Sequence, residues 1–315
     1  MTEKAALDNK FRDKVTWYHA DDFGVSLEQS EKILSCYQDG ALNSISILPN
    51  VPDLGGALAL LDKVDKKRVI RRVLHLNFVE GKPLAGADKV PLLVDRKGYF
   101  DKSFFVFFIW NYTVFGKQRA KLKKQICAEI RAQLRAVTKD HDFHITAVDS
   151  HQHYHMIPIV FDCLLTVLGE PEFSHLDIRQ VRIPLDPVKP VFTVTRPQRI
   201  PAINLVKWMI LGTSAKRNTK ILLQKGIEVP VFFGIFYTCE MKWEIVKALF
   251  PAYKKYANGK GTSLELMFHP GNLTADYELL DKRRGELREF YMSDNRFFEA
   301  ECLKTLNNQS AGLAR

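Results

Sequence analysis

Short apolar runs rich in β-branched residues alternate along the chain with longer segments of helical periodicity. The runs "SISIL" (44–48) and "VLHLNF" (73–78) have the length and composition of buried strands. In segment 118–138 the apolar residues recur at spacings of three and four, which is typical of an amphipathic helix. The predicted strands are 15–19, 44–48, 73–78, 144–149, 178–183, 229–236 and 263–268, and the predicted helices are 27–38, 53–63, 118–138, 157–168, 201–225, 242–257 and 295–306.

Strands that alternate with helices are typical of an α/β protein with a parallel sheet and right-handed crossovers. About seven such units in 315 residues favour a (β/α) TIM-like barrel, complete or incomplete, over an open doubly wound sheet. We therefore expect a single barrel domain over residues 1–315. Segment 80–117 matches neither pattern and is predicted to be a loop excursion from the barrel.

The predicted excursion is unusually aromatic. Its rings either plug one end of the barrel or form a subunit contact, or else they line a cleft in which a sugar ring stacks. The sequence leaves these alternatives open. The aromatic residues are Tyr99, Phe100, Phe104, Phe105, Phe107, Phe108, Trp110, Tyr112 and Phe115.

Two adjacent carboxylates, Asp21 and Asp22, stand where the first predicted strand gives way to a helix. Ser26 and Gln29 have the spacing of a capping box at the start of that helix, so the pair is predicted to lie in a strand-to-helix turn. Such turns carry the active sites of α/β proteins. An isolated Asp-Asp pair more often belongs to a solvated turn without a catalytic role. Whether this pair is functional therefore depends on partners elsewhere in the chain.

Three other predicted strand ends carry histidines, in "RVLHLNF", "VDSHQHYHMIP" and "ELMFHPG". In the second stretch an aspartate and three histidines alternate, so that all four would share one face if the stretch is extended. In a parallel barrel all these strand ends lie beside the Asp-Asp turn, and they contain five of the nine histidines of the chain. The polar residues of the three stretches are His75, Asn77, Asp149, His151, His153, His155 and His269.

One carboxylate and two imidazoles form an open site for a divalent metal ion. A second carboxylate can take the proton of a water that the ion activates, and a histidine on the opposite side can protonate the leaving group. This arrangement is suited to hydrolysis of an amide or ester. Three alternatives are another metallohydrolase such as a phosphoesterase, an iron oxygenase and a non-catalytic sugar-binding protein. Iron oxygenases of this type usually have all-β barrels, which the β/α alternation disfavours, and a binding protein would be expected to have lost Asp21 or His269.

The net charge of +10 raises the question of nucleic-acid binding, but no nucleic-acid-binding motif accompanies the basic clusters at 66–72, 117–124 and 281–284. We expect no nucleic-acid partner; an anionic substrate or simple solubility explains the charge better. Five scattered cysteines without a C-x-x-C pair indicate reduced thiols. The N-terminus lacks the apolar centre of a signal peptide, and the most apolar run, "FFVFFIW", is far shorter than the roughly 20 residues of a membrane span. We therefore expect a cytoplasmic protein without a membrane span.

Five motifs resemble those of the YdjC-like (ChbG/HpnK-type) carbohydrate deacetylases and occur in that family's order over residues 20–271. They are "ADDFG", "HLNFVEGKPL", "VDSHQHYHM", "VRIP" and "MFHPG". The resemblance implies a deformed (β/α) barrel, one divalent ion (Mg²⁺ or Zn²⁺), and removal of N-acetyl groups from amino sugars such as chitooligosaccharide-like carbohydrates. The partner implied is thus a small N-acetylated carbohydrate, and a homodimer is left open.

The resemblance also implies roles for individual residues. Asp22, His75 and His151 would hold the metal. Asp21 would be the general base and His269 the acid. Three further residues are expected to bind or orient the substrate or the catalytic groups; for Arg182 the resemblance implies that its bidentate guanidinium orients the catalytic aspartate. These are Arg182, Asn77 and His153.

The chain departs from the family pattern in three places. Family members commonly read "HLNLTEG" where this chain reads "HLNFVEG", with Phe78 and Val79. The aromatic segment at 99–115 and the long helix at 201–225 are also more elaborate. These differences concern the shape of the substrate more than the metal.

Overall fold

Seven parallel strands form one strongly curved sheet in the order β5-β4-β3-β2-β1-β7-β6. The computed structural model describes residues 15–138, 144–194, 199–274 and 285–312. A single bridge between Gln180 and Glu228 draws the two edges of the sheet together, so the deformed (β/α) barrel predicted from the sequence is confirmed. The strands are β1 (Thr16–Phe23), β2 (Ser44–Ile47), β3 (Arg71–Leu76), β4 (Ile145–Ser150), β5 (Gln180–Val181), β6 (Val231–Phe233) and β7 (Leu264–Phe268).

Helices connect and cover the strands, and all seven predicted helices are present. The predicted cap of the first helix is half formed: Ser26 Oγ accepts the backbone N–H of Gln29 at 3.1 Å, but the Gln29 side-chain amide does not return the bond. The helices are α1 (Leu27–Gln38), α2 (Leu54–Val64), α3 (Phe104–Thr113), α4 (Gly116–Thr138), α5 (Pro158–Leu168), α6 (Val188–Phe192), α7 (Ala202–Gln224), α8 (Trp243–Lys260), α9 (Gly285–Met292) and α10 (Asp294–Gly312).

The prediction of a loop excursion over 80–117 is wrong for its second half, which contains α3 and the start of α4. Ser103 caps α3, and Phe107 packs at 5.9 Å from the ring of Phe78 and 5.3 Å from that of Tyr154. The helix was not predicted because it is apolar on nearly every side. Without a polar face there is no amphipathic periodicity to detect.

The apolar core lies between the outer face of the sheet and the helices, whereas the interior of the barrel is polar. Arg71 enters this interior from β3 and donates to Ser44 Oγ at 2.7 Å and to Glu265 Oε2 at 2.6 Å. Arg182 donates to the other oxygen of Glu265 at 2.6 Å. Since each of these side chains is buried, the barrel encloses a network of paired charges directly beneath the strand ends.

No helix in the described part of the chain is both long and apolar enough to cross a membrane.

Candidate active site

A β-bulge at the end of β1 places both adjacent carboxylates at the same site. Between two paired positions β1 advances by three residues while β2 advances by two, so Asp21 and Asp22 together oppose one residue of β2. Asp22 adopts the left-handed region with φ 67°. Neighbouring side chains of a regular strand point to opposite faces, and the bulge removes that restriction. The aspartates therefore belong to the last residues of β1, not to a separate turn as predicted.

The three side chains implied as metal ligands lie together at the barrel's C-terminal end. The potential ligand atoms of Asp22, His75 and His151 are all within 4.8 Å of one another, and the three residues are buried. His151 Nδ1 lies 3.0 Å from Asp22 Oδ1, and His75 Nε2 lies 3.5 Å from the same oxygen. Three separate strand ends thus supply one carboxylate and two imidazoles to a single point.

A hydrogen bond to Asp149 on the neighbouring strand β4 fixes the orientation of the His75 ring. Its Nδ1 donates to Asp149 Oδ1 at 2.7 Å, which directs Nε2 towards Asp22. Burial alone would lower the pKa of His75, but the negative charge and hydrogen bond of Asp149, with the nearby carboxylates of Asp22 and Asp21, raise it to about 10. The position therefore attracts positive charge strongly.

Two buried nitrogen atoms at this point lack a hydrogen-bond partner in the described part of the chain. His75 Nε2 and His151 Nε2 make no hydrogen bond there. Buried imidazole nitrogens are normally hydrogen-bonded, and a divalent cation binds such nitrogens together with a carboxylate. The residues present therefore fit a metal ion.

A second acidic group lies directly below and has a different character. His19, Asp21 and Asp149 also bring potential ligand atoms within 4.8 Å of one another. However, Arg182 Nη1 and Nη2 each donate to Asp21 at 2.8 Å, and Nη2 lies 2.7 Å from Asp149 Oδ2. The Arg182 guanidinium already pairs with both carboxylates, so this group is an ion-pair network beneath the candidate metal site.

The predicted base and acid are neighbours beside the candidate metal site. Burial alone would raise the pKa of Asp21, but Arg182 and His19 hold it well below its usual range, so the carboxylate is ionised at neutral pH. His269 Nε2 lies 3.8 Å from Asp21 Oδ2. On its other side, the backbone N–H of His269 donates to Glu299, whose carboxylate also lies 3.8 Å from His269 Nδ1.

A cavity of about 390 Å³ opens over these groups. Asp21, His151 and His269 form part of its wall, together with the aromatic rings of Phe104 and Phe105. The aromatic segment therefore serves two purposes, because two of its rings border the cavity while others, such as Phe107, are buried in the core. The volume lies within the usual range of small-molecule binding sites.

The expectation that residues 149–155 share one extended face is wrong. β4 ends at Ser150, and His151–Met156 forms a 3₁₀ turn in which Gln152 and His153 have φ of 49° and 62°. His155 turns into the protein, where Nε2 donates to the carbonyl of Arg182 at 2.8 Å and Nδ1 contacts Ser150 Oγ at 2.6 Å. With both ring nitrogens engaged, His155 cannot bind a metal.

His153 and Asn77 occupy different positions relative to the cavity. His153 lines it, and burial, with the nearby charge of Arg182, lowers its pKa well below the usual value, so the ring is neutral. Asn77 instead donates to Asn50 Oδ1 at 2.8 Å and accepts the N–H of Val79 at 2.8 Å. It shapes the loop after β3 and contacts the site only through that loop.

Several residues at the site were not predicted. Arg296 Nη1 lies 3.2 Å from Asp22 Oδ2, and Tyr291 donates to Glu80, whose carboxylate is 3.5 Å from His151 Nε2. Arg296 and Tyr291 come from the last two helices and carry no local signature. In contrast, His19 could have been found, because it stands two residues before Asp21 and therefore points into the barrel beside it.

Comparisons with known proteins identify relatives of this chain. The family described as YdjC-like protein matches residues 17–302. A carbohydrate deacetylase of Geobacillus stearothermophilus is 28% identical over 188 residues, covering 59% of this chain and 63% of that protein. A carbohydrate deacetylase of Thermoanaerobacter pseudethanolicus is 35% identical over 86 residues, covering 27% of this chain and 33% of that protein. The chain thus spans less than two thirds of the length of these two curated relatives.

Two further comparisons extend over nearly the full length. A carbohydrate deacetylase of Xenopus laevis is 22% identical over 316 residues, covering 95% of this chain and 93% of that protein. A crystal structure from Enterococcus faecalis V583, provisionally assigned to cellobiose-phosphate cleavage, shares 18% identity at a TM-score of 0.59 and covers 93% of this chain and 91% of that one. At this identity it supports the fold alone. Since the family match runs from the second residue of β1 through every histidine segment of the site, the chain belongs to the YdjC-like protein family.

Proposed function

We propose that this protein is a metal-dependent hydrolase that removes N-acetyl groups from amino sugars or chitooligosaccharide-like carbohydrates. The observation that carries the proposal is the position of Asp21 and His269, side by side at the cavity and next to Asp22, His75 and His151. The relatives described as carbohydrate deacetylases support the same reaction and substrate class.

In this proposal Asp22, His75 and His151 hold one divalent ion, zinc or magnesium. Bound there, the ion would polarise the acetyl carbonyl and lower the pKa of the attacking water. Asp149 keeps Nε2 of His75 directed into the site, and Arg296 holds the second oxygen of Asp22 at 3.2 Å. Such supporting contacts fix the direction of a ligand and so strengthen its binding.

Asp21 is the proposed base. Its carboxylate is ionised, borders the cavity and is held in one plane by two hydrogen bonds from Arg182. It takes a proton as the oxygen of water adds to the acetyl carbon. His269 is the proposed acid, which donates a proton to the sugar nitrogen as the C–N bond breaks. Acetate and a free amino sugar are the products.

The cavity walls indicate how the sugar would be held. Phe104, Phe105 and Phe290 present rings to the cavity, and aromatic faces bind the apolar faces of sugar rings. The neutral ring of His153 adds a polar contact in the same wall. Asn77 acts indirectly, because its side chain is hydrogen-bonded to the backbone of Glu80 and so fixes the loop that carries this residue.

The test is acetate release from N-acetylated chitooligosaccharides of increasing length, with the metal content measured on the same sample. We expect acetate release that a chelator abolishes and added Zn²⁺ or Mg²⁺ restores, and no release of phosphate from p-nitrophenyl phosphate. Folded, metal-loaded protein that cleaves the phosphate ester but releases no acetate would favour a phosphoesterase and overturn the proposal.

A further inference from the structure

Two helices that border the cavity expose large apolar side chains. On α3, Phe105, Ile109 and Tyr112 are 58%, 54% and 52% exposed and share one helix face at spacings of four and three. On the first turns of α7, four aliphatic or methionine side chains are between 42% and 63% exposed. We call these seven residues the apolar rim: Phe105, Ile109, Tyr112, Ile203, Leu205, Val206 and Met209.

The apolar rim is continuous with the cavity. Phe105 belongs to both, since it is largely exposed and yet contributes to the cavity wall beside His151 and His269. From α7, Lys207 and Ile210 line the cavity and are neighbours in sequence of rim residues. Whatever covers the rim therefore lies next to the cavity over the candidate active site.

The charge of the protein is concentrated in the same two parts of the chain. Segment 102–128, which includes α3, has six Lys or Arg and no Asp or Glu. Segment 187–227, which includes α7, has eight Lys or Arg and again no acidic residue. The other residues of the chain are more acidic than basic in number, so the net charge of +10 comes entirely from these two segments.

Exposed apolar side chains in segments whose charged residues are all cations suit the interface of an anionic bilayer. There, aliphatic and aromatic groups enter the acyl boundary while Lys and Arg remain at the lipid phosphates. A nucleic acid would meet the cations but would leave Ile203, Val206 and Met209 without a partner. A second copy of the chain would bring two acid-free, cationic segments against each other, which is unfavourable.

We propose that the apolar rim docks reversibly on an anionic lipid bilayer, with the cavity opening towards the membrane surface. The docking itself does not depend on the proposed deacetylase activity. One consequence does rest on that activity: the amino sugar would be presented at the membrane, attached to an apolar chain.

The test measures sedimentation of the full chain with vesicles of phosphatidylcholine alone or mixed with phosphatidylglycerol. We expect binding to the mixed vesicles that weakens as salt rises, and little binding to phosphatidylcholine alone. Ile109→Glu combined with Met209→Glu should lower the partition coefficient by about tenfold or more, because two apolar contacts become anionic. Val69→Glu is the matched control, since Val69 is 60% exposed but precedes β3 at the opposite end of the barrel, and it should bind as the wild type does.

Two further variants keep the test decisive. Lys216→Glu with Lys220→Glu changes exposed cations of α7 without altering an apolar side chain, and should also weaken binding. This variant keeps the test decisive if the first double variant fails to fold. Asp22→Ala should bind vesicles like the wild type, which separates docking from catalysis. The proposal would be overturned if the wild-type protein did not sediment with the anionic vesicles. A dimer that the Ile109→Glu and Met209→Glu changes dissociate would also overturn it, because the rim would then join two copies of the chain.

Discussion

The bulge in β1 gives two adjacent carboxylates different surroundings. Asp21 is held by Arg182, whereas Asp22 faces His75 and His151. Burial alone would raise the pKa of both aspartates, but their cationic or imidazole partners hold it well below the usual range. Both are therefore ionised, and they differ in the side chains that each contacts.

Substitution of each aspartate should separate the two roles. Asp22→Ala should lose both metal and activity, because one of three protein ligands is removed. Asp21→Asn should keep the metal, since an amide of the same shape leaves the ligands in place. Its kcat should fall by roughly 10²- to 10⁴-fold, the usual size of a lost general-base contribution, with a smaller change in KM. Metal analysis and steady-state kinetics on the same samples measure both effects.

His269→Ala provides a matched comparison, and should resemble Asp21→Asn in keeping the metal while losing turnover. The assignment would be reversed if Asp21→Asn emptied the site while Asp22→Ala retained its ion.

At the scale of elements, the last two helices complete the candidate site from the far end of the chain. Arg296 is fully buried, donates to the carbonyl of Gly271 at 3.1 Å and contacts Asp22. Gly271 has φ 84°, and a Cβ there would lie 3.0 Å from the carbonyl oxygen of Gln29. The turn after His269 is therefore packed tightly between α1 and α10.

The hydroxyl of Tyr291 tests this contribution. It donates to the buried carboxylate of Glu80, so Tyr291→Phe should lower the free energy of unfolding by about 1–3 kcal/mol, the cost of removing a hydrogen bond to a buried charge. Tyr112→Phe, at a ring that is 52% exposed, is the control and should change stability little. Denaturant titration measures both. Equal midpoints for the two variants would show that α9 is not held through this bond.

Asp186 fixes the segment that follows β6. This segment forms another wall of the cavity. Its carboxylate accepts the backbone N–H groups of Gly234, Ile235 and Phe236 at 3.0, 2.6 and 3.0 Å, and the hydroxyl of Tyr253 at 2.9 Å. Nearby residues of this segment, including Thr238, line the cavity.

Asp186→Ala should lower the free energy of unfolding by about 3–5 kcal/mol, because several buried donors lose their acceptor at once. It should also raise KM through the displaced cavity wall. Asp177→Ala is the matched control, since Asp177 pairs with Arg179 at the surface and its side chain is 64% exposed. Denaturant midpoints and KM values that are the same for both variants would contradict the role given to Asp186.

At the scale of the whole molecule, the charged interior of the barrel should control stability in acid. Burial alone would raise the pKa of Glu265, but Arg182 and Arg71 lower it from 4.5 to about 2. A carboxyl group whose pKa is lowered on folding contributes stability above its unfolded value and loses that contribution as the pH falls to its folded value. We expect the free energy of unfolding to fall between about pH 4.5 and pH 2, by about 3 kcal/mol from this group alone.

Glu265→Gln checks the source of this acid sensitivity. At neutral pH it should destabilise the protein by about 3–5 kcal/mol, since two buried arginines lose part of their compensation, and its decline between pH 4.5 and pH 2 should be shallower. Glu28→Gln removes a carboxylate that pairs with Lys32 at the surface and should leave the profile unchanged. The measurement is the denaturation midpoint across this pH range. If the midpoints of wild type and Glu265→Gln fell equally with pH, Glu265 would be excluded as the cause.

Local pattern was sufficient to predict the parallel barrel and most of its elements. Strand and helix periodicities arise from neighbouring residues, and the connection rules of parallel sheets then place Asp22, His75, His151 and His269 at one end. That these strand ends meet was therefore predictable. The choice of particular histidines came from the resemblance to a family.

Side-chain direction was decided only by the tertiary structure. The bulge at Asp21 and Asp22 and the left-handed turn at His153 change which way a residue points, and neither leaves a periodic signal in the sequence. The partners Arg296 and Glu299 come from the last helix, because their positions depend on how α10 packs against the loop after β7. Periodicity is set within a few residues, whereas the charge balance of a buried site is set by contacts between residues far apart in the chain.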